Sequence, residues 1–265
     1  MKRLLPILTA LLLCGPISAQ ISTADFEALR TLYEATGGAN WTNNTGWDFK
    51  NATADDVKPY NAQEGTGWFG INEIRKGRVS KLELPANGLT GELPEAIYTL
   101  DGMRTLNLSG NGLTGSLSPE IGRLKLISSL NLSDNRLSGK IPDELIFLGA
   151  EAKTSKPRED GKGGNEIKVL LNKNQLTGPI PAAIGDMALL AKPAKSISLD
   201  LGYNRLTGEI PASMARLTEL TSFKAAGNRL TGTVPAALES LPRLKYLRLE
   251  KNAFTGAVPS RRPSG

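Results

Sequence analysis

The stretch Leu106-Asn107-Leu108-Ser109-Gly110-Asn111-Gly112-Leu113-Thr114-Gly115 returns, with substitutions, as Leu199-Asp200-Leu201-Gly202-Tyr203-Asn204-Arg205-Leu206-Thr207-Gly208. Aligning the chain on its Asn places equivalents at 87, 111, 135, 174, 204, 228 and 252, with gaps of 24, 24, 39, 30, 24 and 24 residues. An apolar-Pro pair follows in most units: Leu93-Pro94, Ile141-Pro142, Ile180-Pro181, Ile210-Pro211, Val234-Pro235 and Val258-Pro259, with Leu117-Ser118-Pro119 departing in the second. A fixed period of this size is the signature of a stacked array.

The physical reading is direct. Leu-x-Leu has the two-residue period of a strand, so both leucines point inward and the residue between them points out. Seven such strands stacked in parallel make a sheet in which each unit touches only its neighbours. The Asn amide carries donors and an acceptor and can satisfy backbone groups where a strand ends. Leaving such groups unpaired costs about 1–3 kcal/mol each. Thr-Gly or Ser-Gly then turns the chain, and the apolar-Pro pair opens a return segment that needs no ladder N–H. This period also explains the 28 Gly and 16 Pro among 265 residues, which would otherwise read as disorder.

These residues are similar to leucine-rich repeat proteins, and the 24-residue Leu-Thr-Gly-x-Ile-Pro form resembles the plant-type class. The resemblance implies an α/β solenoid with a curved parallel sheet on its concave face, short 3-10 or irregular segments on its convex face, and an N-terminal helical cap. It also implies a non-enzymatic binding scaffold, comparable to plant-type proteins that inhibit polygalacturonases or sense peptides.

Before the array, residues 22 to 36 read as a helix capped by Ser22 or Thr23, with Phe26, Leu29, Leu32 and Tyr33 on one side and Gly37-Gly38 as the stop. Trp41, Trp47 and Trp68 follow, and their expected task is to cover the apolar edge of the first repeat. The run Ala28 to Trp41 and Trp68-Phe69-Gly70-Ile71 resemble the region preceding such repeats in bacterial and protist proteins. Plant relatives place paired Cys there, and this segment has none.

Residues 1–19 read as a secretory signal: Lys2 and Arg3, an apolar run Leu4 to Leu13, and Ile17-Ser18-Ala19 before Gln20. The apolar run is too short to span a bilayer of roughly 30 Å. Leu13 is not the small residue that a lipobox wants before Cys14. Cleavage would lower the formal charge from +6 to +4 and remove Cys14, the only thiol. The expected organisation is a signal peptide at 1–19, a cap region at 20–76, seven repeats at 77–260 and a tail at 261–265, in a secreted, periplasmic or cell-surface protein. Five Asn-x-Ser/Thr triplets, at Asn40, Asn43, Asn51, Asn107 and Asn131, matter only in a eukaryotic secretory route.

The chain has no His, which excludes Ser-His-Asp and Cys-His catalysis and His metal ligation. No cofactor, metal, nucleic acid or integral membrane span is expected. A carboxylate pair would need two groups about 5–9.5 Å apart in one cleft. Asp134 and Asp200 stand two repeats apart and meet no such requirement. The aligned Thr90, Thr114, Ser138, Thr177, Thr207, Thr231 and Thr255 could form an ice-matching array, but their neighbouring column is too irregular.

The outward columns locate the expected partner site. In the second and third repeats they carry mostly Ser, Asn, Thr and Gly. From the fourth onward they gain Lys168, Lys173, Asp200, Tyr203, Lys224, Tyr246, Arg248 and Lys251, a basic and aromatic set of the kind interfaces favour. The two long gaps exceed the period by 15 and 6 residues, within 149–166 and 189–195, and should emerge side by side on one edge. The leading expectation is a protein partner held by this edge and these residues together; the alternative is a glycan or cell-envelope ligand. After Pro259 too little chain remains to cover Leu247, Leu249, Phe254 and Val258, so fraying or an edge-on homodimer is expected.

Overall fold

A computed structural model describes residues 21–152, 165–187 and 194–256. The proposed signal peptide, Cys14, the middle of both insertions and Val258-Pro259 lie outside the described residues.

In chain order the elements are helix α1 (Thr23–Ala35), β1 (Ile71–Arg75), β2 (Arg78–Glu83), β3 (Thr90–Glu92), β4 (Thr105–Asn107), β5 (Gly112–Thr114), β6 (Ser129–Asn131), β7 (Asn165–Leu170), β8 (Thr177–Gly178), β9 (Ala194–Asp200), β10 (Arg205–Gly208), β11 (Leu220–Lys224), β12 (Arg229–Leu230), the one-turn helix α2 (Ala236–Glu239) and β13 (Tyr246–Arg248). The concave sheet has eight strands in the order β1-β2-β4-β6-β7-β9-β11-β13. From β2 onward all pair in parallel, with Leu82, Leu106, Leu130, Val169, Leu199, Phe223 and Leu247 in register. These side chains are buried in one continuous core, as the two-residue period requires.

The eighth strand was not anticipated. β1 pairs with β2 antiparallel through a two-residue turn at Lys76 and Gly77, both with positive φ (50° and 70°). Such turns match the twist of a hairpin. The edge of the array is thereby closed by the cap's own strand, and Ser22 N–H donates to Gly77 O at 2.8 Å to tie helix to hairpin.

Ser22 is the helix cap: its hydroxyl accepts from Asp25 N–H at 3.1 Å. Asp25, fully buried, also accepts from Val79 N–H and Arg78 Nε, each at 2.7 Å, and Arg78 reaches on to Asp101 at 2.7 Å. Helix, hairpin and first repeat are joined at this one carboxylate. Behind it the three Trp pack as expected, with ring centroids 4.8 Å apart for Trp41–Trp47 and 5.3 Å for Trp47–Trp68. The indole N–H groups of Trp41 and Trp47 donate to Thr36 O and Phe69 O.

Each Asn reaches back one repeat. Asn135 Oδ1 accepts from Leu113 N–H at 3.0 Å, while its Nδ2 donates to Leu108 O of the preceding unit at 3.0 Å and to Leu132 O of its own at 3.2 Å. The pattern repeats at Asn111, Asn174, Asn204, Asn228 and Asn252. At the start of the array Asn87 bonds instead to the Asn43 backbone, N–H at 2.8 Å and C=O at 2.9 Å. The cap thus imitates a preceding repeat.

After each Asn the chain does more than turn. Short parallel ladders form, β3-β5 and β8-β10-β12, with isolated bridges at Ser116–Ser138 and Lys140–Thr177 continuing the line. The aligned hydroxyls support it: Ser138, Thr177 and Thr255 each donate to a Gly carbonyl of the preceding repeat at 3.1–3.2 Å. One-turn helices then follow the apolar-Pro pairs, with Pro94, Pro142, Pro181, Pro211 and Pro235 at their N-caps. The departing second repeat is capped by Ser118 with Pro119 at the first helical position, which explains its altered text.

At the far end the expectation of exposed leucines is corrected. Leu247 and Leu249 are each 1% exposed, because they point into the interior shared with Leu230, Leu238, Leu241 and Leu244. Phe254 is half-buried against that core. What β13 presents at the end of the array is therefore backbone, not apolar side chains.

Candidate functional site: the concave face and its two edges

The structure divides the eight candidate residues into three rows. Tyr246 begins β13 and Lys168 lies within the lengthened β7, in register with Ser222 and Ser129 of the neighbouring strands. Asp200, Lys224 and Arg248 form a row one pleat further along, paired directly across β9, β11 and β13. Lys173, Tyr203 and Lys251 lie beyond the C-terminal ends. Five residues separate the first column from the last, roughly 15 Å of strand. The set is not one patch but two edges bridged by a charged row.

The middle row is partly committed to itself. Asp200 Oδ1 accepts from Gly202 N–H at 3.2 Å and its other oxygen lies 3.6 Å from Lys224 Nζ. Asn107 and Asn131, equivalent positions in earlier repeats, accept in the same way from the N–H and hydroxyl of Ser109 and Ser133. Asp200 therefore closes a turn, and Arg248 is the more available group. Leu170 adds one half-exposed apolar side chain beside Asp200.

The N-terminal edge is where the insertions leave the array. β7 and β9 are longer than the three-residue strands β4 and β6, and they pair out to Asn165 and Ala194. The described ends of the two insertions thus stand side by side, in the phase read from the sequence. Tyr246 is 43% exposed at this edge, and Lys168 is held only by Glu166 at 3.7 Å.

The C-terminal edge has a conformational signature that spacing did not reveal. The residue before each Asn is left-handed: Ala86 (φ 47°), Gly110 (69°), Asp134 (56°), Lys173 (55°), Tyr203 (55°), Gly227 (68°) and Lys251 (58°). Glycine adopts this region freely and other residues adopt it at about 1–2 kcal/mol. The backbone holds it through bonds such as Tyr203 N–H to Ala226 O at 2.7 Å. Tyr203 is 51% exposed, and its ring lies over Gly227. The residue after each Asn contributes too: Arg136, Arg205 and Arg229 are exposed along this edge. Their signal in the sequence is the position just after the Asn, which lies outside the strand columns.

Comparison with known proteins agrees with this architecture. The Leucine Rich Repeat family model matches residues 102–124, 127–148 and 197–217. No curated protein sequence matches. Among solved structures, the chain is similar to the ectodomain of the Arabidopsis thaliana receptor kinase GASSHO1/SCHENGEN3 in complex with CASPARIAN STRIP INTEGRITY FACTOR 2, with 28% identity and a TM-score of 0.60, covering 90% of this chain and 28% of that one. It is similar to a Pollen Receptor Kinase 3, with 26% identity and a TM-score of 0.63, covering 88% of this chain and 97% of that one. The Arabidopsis receptor kinase HAESA, in complex with the peptide hormone IDA and the co-receptor SERK1, shares the fold at 24% identity and a TM-score of 0.64, with 90% of this chain covered. This chain spans about 39% of that HAESA chain. The model match, the register of the strands and these neighbours together support a leucine-rich repeat solenoid with repeats like those of the plant ectodomains.

Proposed function

We propose that the chain is an exported, non-enzymatic scaffold that binds a protein partner across the concave face of its fourth to seventh repeats. The observation that carries this reading is the asymmetry of the N-terminal edge. The strands lengthen there, and the exposed Tyr246 and half-buried Lys168 stand on that side, with Lys224 and Arg248 behind them. The second and third repeats offer small neutral side chains at the same position, Thr105 and Ser129. Aromatic and Arg side chains on a rigid sheet are suited to anchoring a partner at low entropic cost. The neighbouring plant ectodomains that carry peptide or protein partners support the reading. So does Asp200, whose carboxylate is engaged in a turn and an ion pair. The leader at residues 1–19 supports export, and among the described residues no helix is long and apolar enough to cross a membrane.

The test is affinity capture with the mature chain from its native surroundings, followed by titration of the identified partner. Joint substitution Lys168→Ala, Tyr246→Ala and Arg248→Ala should weaken binding at least about tenfold. Unchanged affinity would refute this placement of the site.

A further inference from the structure

The C-terminal edge carries a second surface, distinct from the one proposed for a protein. Arg136, Lys173, Arg205, Arg229 and Lys251 are all exposed there, and none of them is in an ion pair among the described residues. Several exposed cations on the convex side are paired, as in Arg123–Glu120, Lys125–Glu151 and Arg216–Asp186. In the columns two before, one before and one after each Asn, the acidic residues are Asp134 and Glu250, near the two ends of the strip. The same edge is bare in the first two repeats, which have Ala86, Gly88, Gly110 and Gly112 at the equivalent positions.

Two geometric facts order these charges. Arg205 and Arg229 lie in the second ladder, in register with Thr177 and Thr207 of the preceding repeats. One cation of the set stands in each repeat from the third to the seventh, at the position just before or just after the Asn, so the strip carries net positive charge along the solenoid. Within the strip, three positions that glycine would fill without strain are given to Lys173, Tyr203 and Lys251, and the Tyr203 ring packs within 2.7 Å of where a Cβ on Gly227 would sit. Negative charge repeated along a ligand would complement these cations, and the exposed Tyr203 ring offers a face to stack on.

We propose that this edge binds a linear acidic polysaccharide. Carboxylates or sulfates along the polymer would meet the five cations, and the C–H face of one sugar would lie on Tyr203. The strip has no aliphatic side chain larger than Ala253, so it lacks the apolar socket that a protein anchor residue would need. The edge is also displaced from Lys168 and Tyr246 by the length of a strand, so the two surfaces can be tested separately.

The experiment uses the purified protein and sodium alginate, with dextran as the neutral polymer and poly-L-glutamate as the acidic protein-like one. Binding to alginate, weakening as NaCl rises, is expected, with little binding to dextran. Arg136→Ala, Arg205→Ala and Arg229→Ala together should raise the alginate Kd about tenfold or more, while the convex triple Arg123→Ala, Lys125→Ala and Arg216→Ala, which loses the same charge, should change it less than about twofold. Tyr203→Gly keeps the left-handed backbone unstrained and should also weaken alginate binding. Retention on alginate no better than on dextran, or equal losses in both triples, would overturn the proposal. So would poly-L-glutamate binding as tightly as alginate with no effect of Tyr203→Gly, which would assign the strip to an acidic protein.

Discussion

Tyr203 and Gly227 occupy the same position in successive repeats, both left-handed, and a Cβ added to Gly227 would come within 2.7 Å of the Tyr203 ring. The glycine is thus kept free by its neighbour's side chain as well as by its own φ. Gly227→Ala should destabilise by about 1–2 kcal/mol from backbone strain, and by more from the clash. Combining it with Tyr203→Gly should recover the clash and leave only the strain. Chemical denaturation of both single variants and the double variant checks this; strict additivity would show that ring and glycine do not interact.

The asparagine column makes a comparative prediction. Asn135 is buried and bonds to Leu113 N–H, Leu108 O, Leu132 O and Ser133 O. Asn135→Ala leaves several of these groups unpaired and should cost about 3 kcal/mol or more. Asn252 makes equivalent bonds but is half-exposed, so water replaces them, and Asn252→Ala should cost less than half as much. Equal midpoint shifts in urea would contradict the role assigned to burial.

Asp25 is a point of failure for the cap. Removing it by Asp25→Ala strands the buried Val79 N–H and takes one partner from Arg78, which keeps Asp101 and Thr99 O, and should cost about 2–3 kcal/mol. Hydrogen exchange should show the cap and first repeat opening before the later repeats, because a solenoid transmits stability only between neighbours. A uniform loss across all repeats would count against this.

Tyr98 predicts an alkaline limit. Its side chain is almost wholly buried and its hydroxyl, near the Ser118 backbone, makes no well-formed hydrogen bond. Burial holds the phenol well above its ordinary value. A folded value raised above the unfolded one gives stability that is complete below about pH 10 and is lost as pH rises further. Tyr98→Phe should be neutral or mildly stabilising at pH 7 and should shift the alkaline unfolding transition upward. An unchanged alkaline transition would show that Tyr98 does not govern it.

Much of the scaffold was legible because its causes are local and repeated. Leu-x-Leu sets the inward face, Pro sets the start of each return helix, and seven asparagines in phase announce one stacking rule. The hairpin at Lys76-Gly77 carried a short-range signal that was overlooked, since a two-residue turn before a strand is readable in principle. The partnership of Asp25 with Arg78 carried none, because the residues are 53 apart and nothing in their spacing joins them. The candidate site lay between these cases: its residues were found column by column, but whether a column belongs to a face or an edge depends on where each strand ends.

By itself, then, the sequence determined the period, the parallel sheet, the asparagine column and the phase of the two insertions, because each follows from a pattern repeated every 24 residues. Only the tertiary structure decided that the outward residues split between two opposed edges, that Asp200 is spent on a turn, and that the end leucines are covered. Those outcomes come from contacts between neighbouring repeats, where strand length, left-handed backbone and packing act together, and a linear pattern does not contain them.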